Sequence, residues 1–171
     1  LILKSKGIIT DLQRQILLIF SKIPDSNVFY LTGGTALAEF YLGHRKSFDL
    51  DIFTSEIGII IPTSYIFEKE IKRNFFIKVV KRFETLVEFE ISDKKNSTKV
   101  QLALDSPFKF ENPVDSDIGI KVNSYIDLKV KEFPDNINEL PIEMIKEIDI
   151  KELKNQFLSL SKEIMEKIKN K

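Results

Sequence analysis

The chain has 171 residues, 43% of them hydrophobic and 30% charged, which is enough for one cored domain with a small appendage and too few for two large ones. Twenty-six basic residues balance twenty-six acidic ones, so any attraction to a polyanion has to come from a local patch. The absence of cysteine and the single histidine exclude disulfides, thiolate zinc sites, His-based metal clusters and cysteine nucleophiles, and leave carboxylates to carry any chemistry.

Thr10 followed by Gln13 is a capping-box signature, and Leu12, Ile16, Leu17, Phe20 and Ile23 recur at helical spacing until Pro24, which predicts a first helix. Val28 to Leu31 reads as a short strand that runs into Thr32-Gly33-Gly34-Thr35. Ala36, Leu37, Phe40 and Tyr41 then share a helical face that Gly43 terminates. Residues 48–53 alternate apolar and acidic, which predicts a half-buried strand with Asp49 and Asp51 on its other face. A helix is expected from Ser64 to Phe75, after the Pro62 start signal.

Strand patterns follow at Ile77 to Phe83, Leu86 to Ile91 and Lys99 to Leu104, the last two joined by a polar hairpin loop, so half of the sheet is antiparallel. Ile120 to Val122 reads as one more short strand, and Ser124 to Phe133 as a brief helix cut off by Pro134. Asp149 caps a last expected helix with Leu153, Phe157, Leu160, Ile164 and Ile168 on one face. No apolar run reaches the roughly twenty residues that cross a bilayer, and no signal pattern opens the chain, so it reads as cytoplasmic.

On an extended strand Asp49 and Asp51 point the same way, roughly 6.5 to 7 Å apart, and can approach one hard cation or an adjacent pair. Alone, an Asp-x-Asp is more often a solvated edge. Gly33 and Gly34 sit where a strand meets a helix, a place where bare backbone N–H groups can approach phosphate. Alone, such a turn is more often only a tight connection. A short helix separates the two, so the return strand is expected beside the first, bringing turn and carboxylates to one sheet end. Asp105 has the strand parity opposite to Val100, Leu102 and Leu104, so it is expected to join the pair as a third carboxylate. Arg45, just before the acidic strand, could neutralise phosphate through its fork of donors, and a solvated loop arginine is the alternative. His44 reads as a packing or loop-anchoring residue. Lys69, Lys72, Arg73, Lys78, Lys81 and Arg82 form a basic run that could guide a nucleic-acid backbone, although such runs are more often solvated faces.

Residues 31–38, Leu-Thr-Gly-Gly-Thr-Ala-Leu-Ala, with residues 42–53, Leu-Gly-His-Arg-Lys-Ser-Phe-Asp-Leu-Asp-Ile-Phe, closely resemble the AbiEii/AbiGii toxin family of nucleotidyltransferases. That family belongs to type IV toxin-antitoxin and phage-abortive systems. The resemblance covers roughly residues 8 to 130 and is dense from 28 to 54. It implies an α+β, polymerase-β-like nucleotidyltransferase fold with a mixed sheet flanked by helices, spanning 1–130, and a helical extension over 131–171. It implies that Gly33, Gly34 and Thr35 bind nucleotide phosphates, and that Asp49, Asp51 and Asp105 are the catalytic, Mg²⁺-binding carboxylates. Arg45 and Ser47 are expected to contact the triphosphate. The implied activity is transfer of a nucleoside monophosphate from a nucleoside triphosphate to an acceptor hydroxyl, with tRNA ends as the first expectation and a cognate antitoxin as protein partner.

The family pattern is broken after Asp127-Leu128-Lys129. A longer helical region with a further lysine and an Arg-Asp-Phe/Tyr-x-Asp segment usually follow; here Val130 runs almost directly into Lys131-Glu132-Phe133-Pro134. A chain discontinuity is therefore expected near residue 130. Loss of that region favours a competing class, a non-catalytic nucleotide-binding or protein-interaction relative. The three carboxylates with the glycine turn favour the enzyme. A Mg²⁺ nuclease would have no need for the Gly-Gly-Thr turn.

Overall fold

A computed structural model of the protein describes residues 2–132, the last four by backbone alone, and the exposed helical positions Asn155, Ser159, Lys162 and Glu166. Among the described residues six strands form one mixed sheet: β1 (Phe29–Thr32), β2 (Asp49–Thr54), β3 (Phe76–Phe83), β4 (Leu86–Ser92), β5 (Ser97–Leu104) and β6 (Lys121–Val122), in the order β3-β4-β5-β2-β1-β6. β2 pairs with β5, and β1 with β6, in parallel; the other neighbours are antiparallel. The expected antiparallel half and the pairing of the first two strands are therefore present.

Period-two alternation decides which way each strand faces. Leu50 and Ile52 of β2, Val87, Phe89 and Ile91 of β4, and Val100 and Leu102 of β5 are all fully buried on one face. Helices α1 (Asp11–Phe20) and α3 (Ile60–Ile71) cover that face with Leu12, Ile16, Leu17, Phe67 and Ile71. Phe29, Phe20, Phe67 and Phe89 run edge-to-face from β1 through both helices to β4, with centroids 5.3 to 5.5 Å apart. Each such pair adds about 0.5 to 1.5 kcal/mol beyond its buried area. The opposite face carries the polar residues of the same strands, among them Asp49, Asp51, Glu88, Glu90, Lys99 and Gln101.

Helix α1 starts with the expected capping box, Thr10 and Gln13 bonding reciprocally to each other's backbone. Helix α3 begins at Ile60, four residues before its expected start, and ends at Ile71. Pro62 lies inside its first turn, where no intrahelical N–H is needed, so the proline marks the interior of the first turn and not the boundary before it. Helix α2 (Gly33–Ala36) starts on the glycines themselves and passes into a π-wound stretch, Leu37–Leu42, ended by Gly43 at φ 63°. Helix α4 (Tyr125–Glu132) carries the backbone through residue 130 without a break, so the expected discontinuity is not found up to Glu132. The apolar positions of the expected last helix lie outside the described residues. No helix among the described residues is long and apolar enough to cross a membrane.

Two buried carboxylates tie the segments around the sheet end. Glu39, in the π-wound stretch, has a fully buried side chain that accepts the backbone N–H groups of Gly7, Ile8 and Ile9 at 2.9, 2.6 and 3.0 Å. Asp127 of α4 accepts those of Phe110 and Glu111, and the Ser124 hydroxyl at 2.6 Å. A buried carboxylate is tolerated when backbone donors replace its water. Replacing Glu39 with alanine leaves three donors without it, and should cost about 3 kcal/mol in urea unfolding. Proteolysis before residue 10 should also accelerate, while Glu39→Gln should show the same defect to a smaller extent.

Candidate active site

The turn from β1 into α2 has two glycines with different reasons to be glycine. Gly33 has φ +73°, a left-handed conformation, and a Cβ there would stand 2.3 Å from Asp51 Oδ2. Gly34 has an ordinary φ, but a Cβ would stand 1.9 Å from Arg45 Nη2. The missing side chains are thus filled by the Asp51 carboxylate and the Arg45 guanidinium. Thr35 donates its hydroxyl to the Asp49 backbone carbonyl, tying the start of α2 to the start of β2. Thr32 pairs with Asp51 across the ladder, and buried Asn123 donates to its hydroxyl at 3.2 Å. Gly33, Gly34, Thr35, Arg45, Asp49 and Asp51 are thus gathered at one sheet end.

Ser47 enters through its backbone: its carbonyl accepts Gln13 Nε2 at 3.0 Å. Gln13 is nearly fully buried and also holds Thr10 through Oε1. One glutamine thus closes the cap of α1 and fixes the loop leading into β2, a second role that the capping pattern gave no sign of. His44 is buried, as its packing assignment requires.

Asp105 is not brought to the pair. It shares their sheet face, but Asp49 and Asp51 stand opposite Lys99 and Gln101 in β5. Asp105 follows Gln101 by four residues, about 13 Å at a rise of about 3.3 Å per residue. There it accepts the Tyr30 hydroxyl at 2.5 Å, Lys109 Nζ at 2.8 Å and the Ser106 N–H at 2.8 Å. The expectation of three carboxylates in one cleft is corrected: parity was right and register was not. Among the described residues no three His, Asp or Glu side chains gather as a metal group. Asp49 and Asp51 are two hard oxygen donors on one strand face. That set fits one Mg²⁺ completed by phosphate oxygens and water.

Lys99 Nζ lies 3.1 Å from Asp49 Oδ2 with both side chains about half exposed. The bond to Asp49, reinforced by the charges of Asp49, Glu88 and Asp51, holds the Lys99 ammonium above its ordinary pKa. Gln101 donates to Glu88 Oε2 at 2.9 Å, and Lys81 lies 3.8 Å from the same carboxylate. The sequence reading missed Lys99 and Gln101; their parity was legible, but not which residues they oppose. The basic run does not form one patch. Lys72 and Arg82 pair with Glu68, Arg73 with Glu70 and Lys81 with Glu88. Arg82 also lies over the Tyr65 ring beside α3, while Lys78 and Lys81 belong to the polar sheet face.

Gly33→Ala should lower stability by about 1 to 2 kcal/mol through its left-handed backbone, with further loss from the collision with Asp51. Gly34→Ala meets only the end of a flexible side chain, so its melting temperature should stay close to that of the parent while the Arg45 guanidinium is expelled. Burial first, and the Asp105 carboxylate second, push the Tyr30 hydroxyl far above its ordinary value of 10.0. Burial and then Glu111 raise Tyr41 to about 12. Raised folded-state values favour the neutral phenol, so the Tyr41 contribution is fully present below pH 10 and is lost as pH rises through about 12, and the Tyr30 contribution is lost at still higher pH. Tyrosinate absorbance should therefore show Tyr30 and Tyr41 ionising late, and Asp105→Asn should advance Tyr30.

Three solved structures resemble this one. A protein from H. pylori assigned as a nucleotidyltransferase has 18% identity and a TM-score of 0.51, over 68% of this chain and 52% of that one. JHP933 from Helicobacter pylori has 20% identity and a TM-score of 0.49, over 68% and 51%. MenT4, a nucleotidyltransferase toxin from Mycobacterium tuberculosis, has 17% identity and a TM-score of 0.45, over 79% and 46%. The chain spans about half the length of these structures. The first supports the nucleotidyltransferase fold expected from the sequence. No curated protein matches the chain significantly. The family model described as nucleotidyl transferase AbiEii toxin, type IV TA system, matches residues 15–151, across the acidic strand, the glycine turn and α4, and the chain belongs to that family.

Proposed function

We propose that this chain is a Mg²⁺-dependent nucleotidyltransferase of the toxin type, which transfers a nucleoside monophosphate from a nucleoside triphosphate to an acceptor hydroxyl. The observation that carries this reading is the junction of Gly33, Gly34 and Arg45 with the Asp49/Asp51 pair at one sheet end. The acceptor oxygen bonds to the α-phosphorus, the bond to the bridging oxygen breaks, pyrophosphate leaves, and the hydroxyl proton passes to solvent. Arg45 offers a planar fork of donors to phosphate, and the bare backbone at Gly33 and Gly34 lets phosphate oxygens approach, with Thr35 holding that turn against β2. Ser47 joins them as a triphosphate contact. Asp49 and Asp51 hold Mg²⁺, which when bound supplies charge neutralisation to the triphosphate and its leaving group. The acceptor assigned first is a tRNA end, the protein partner a cognate antitoxin and the compartment the cytoplasm.

One observation favours a second reading, a non-catalytic nucleotide-binding relative: lysine and glutamine, not a carboxylate, stand opposite the acidic pair. The two readings part in one experiment. Protein is incubated with labelled nucleoside triphosphates, Mg²⁺ and total tRNA, beside Asp51→Asn and Asp105→Asn. Transfer should fall about a hundredfold or more in Asp51→Asn and persist in Asp105→Asn. Equal labelling by Asp51→Asn would remove Asp51 from the chemistry. Labelling by none, with nucleotide still bound, would favour the second reading.

A further inference from the structure

The polar face of the sheet is ordered by charge. Across β2, β5, β4 and β3, one row reads Asp49, Lys99, Glu90 and Lys78, and the next Asp51, Gln101, Glu88 and Lys81. Neighbouring strands are about 4.8 Å apart, so Lys99 is the cation central to four carboxylates, Asp49 and Glu90 beside it and Asp51 and Glu88 on the diagonals. Its ammonium is drawn to the Asp49 side, at 3.1 Å. The glycine turn and Arg45 flank the acidic pair from the β1 side; Lys99 flanks it from the β5 side.

We propose that Lys99 is the second cation of this site, a fixed ammonium facing the reacting phosphate where a third carboxylate would otherwise recruit another divalent ion. The inference rests on the nucleotidyl-transfer reading and deepens it. Two carboxylates can satisfy one Mg²⁺ together with phosphate oxygens, because this ion keeps few protein ligands. A second divalent ion beside Asp49 would have to displace a paired ammonium and find a further anionic ligand. Among the described residues, the β5 position in register with Asp51 is Gln101, committed to Glu88 at 2.9 Å. Were Asp49 to hold a metal ion, the Lys99 ammonium would be released from it at the edge of the site. A phosphate oxygen is then its natural partner, and the charge of the transferred group is met from both sides, by Arg45 and by Lys99. Lys99 thereby acts as a charge-supplying and positioning residue.

The test counts ions without needing turnover. Mn²⁺ binding is followed by the paramagnetic resonance of the free ion, with α,β-methylene analogues of the common ribonucleoside triphosphates. The parent should bind one Mn²⁺ per chain with the analogue, and Lys99→Asp, which places a carboxylate opposite Asp49, should bind two. Lys99→Met keeps the aliphatic stem, so unfolding should be little changed, while analogue affinity falls about fivefold to tenfold; Lys99→Arg should recover most of it. Two Mn²⁺ in the parent, one in Lys99→Asp, or unchanged analogue affinity in Lys99→Met would each overturn the role of Lys99 and leave the transfer reading standing. Failure of the parent to bind any analogue, with or without Mn²⁺, would instead defeat the transfer reading and this inference with it.

Discussion

The contact on which the site depends is the approach of β2 and its leading loop to a turn with no side chains. Any Cβ at Gly33 or Gly34 would occupy the space now held by the Asp51 carboxylate and the Arg45 guanidinium. Thr35 then fastens the helix start to the first residue of β2. Charged groups of opposite sign are thus held a short distance apart by backbone geometry. Around this junction, Glu39, Gln13, Asp127 and Asn123 act as hydrogen-bonded ties between helices, loops and strands. Each is buried, and each compensates its lost hydration with backbone or side-chain partners.

The two faces of the sheet divide the work. The apolar face, closed by α1 and α3 through a line of four phenylalanine rings, supplies the rigidity that fixes the strands. The polar face spends its residues on alternating charge. That pattern keeps the carboxylates of β2 and β4 compatible with folding before any ligand arrives, because like charges directly opposite would repel. It also gives Lys99 a defined place beside Asp49. An acidic strand and a structural counter-ion network are here the same set of side chains.

Asp105 is a case of a correct local inference with a wrong spatial conclusion. Its parity put it on the same face as Asp51, as the sheet bears out. Its position just past the end of β5 put it beside Tyr30 and Lys109, where a carboxylate serves as the acceptor for a buried phenol. The basic run is a second case. Six cations close in sequence divide between α3, the turn after it, the core side of β3 and its polar side, and most are matched by neighbouring carboxylates.

The sequence by itself determined what depends on short spacing. The capping box of α1, the alternation of β2, the glycine turn, the hairpin between β4 and β5 and the family motif all rest on contacts within a few residues or on side-chain direction along one strand. Pairing of β1 with β2 was also legible, because the short helix between them leaves little freedom. Only the tertiary structure decided the register of β5 against β2, since α3, β3 and β4 lie between them and parallel pairing is set by packing across the whole sheet. That register chose Lys99 and Gln101 as the neighbours of the acidic pair and sent Asp105 to the other end. The same long-range packing set the second bond of Gln13 and the burial of Glu39, because each joins segments whose separation along the chain carries no local signal.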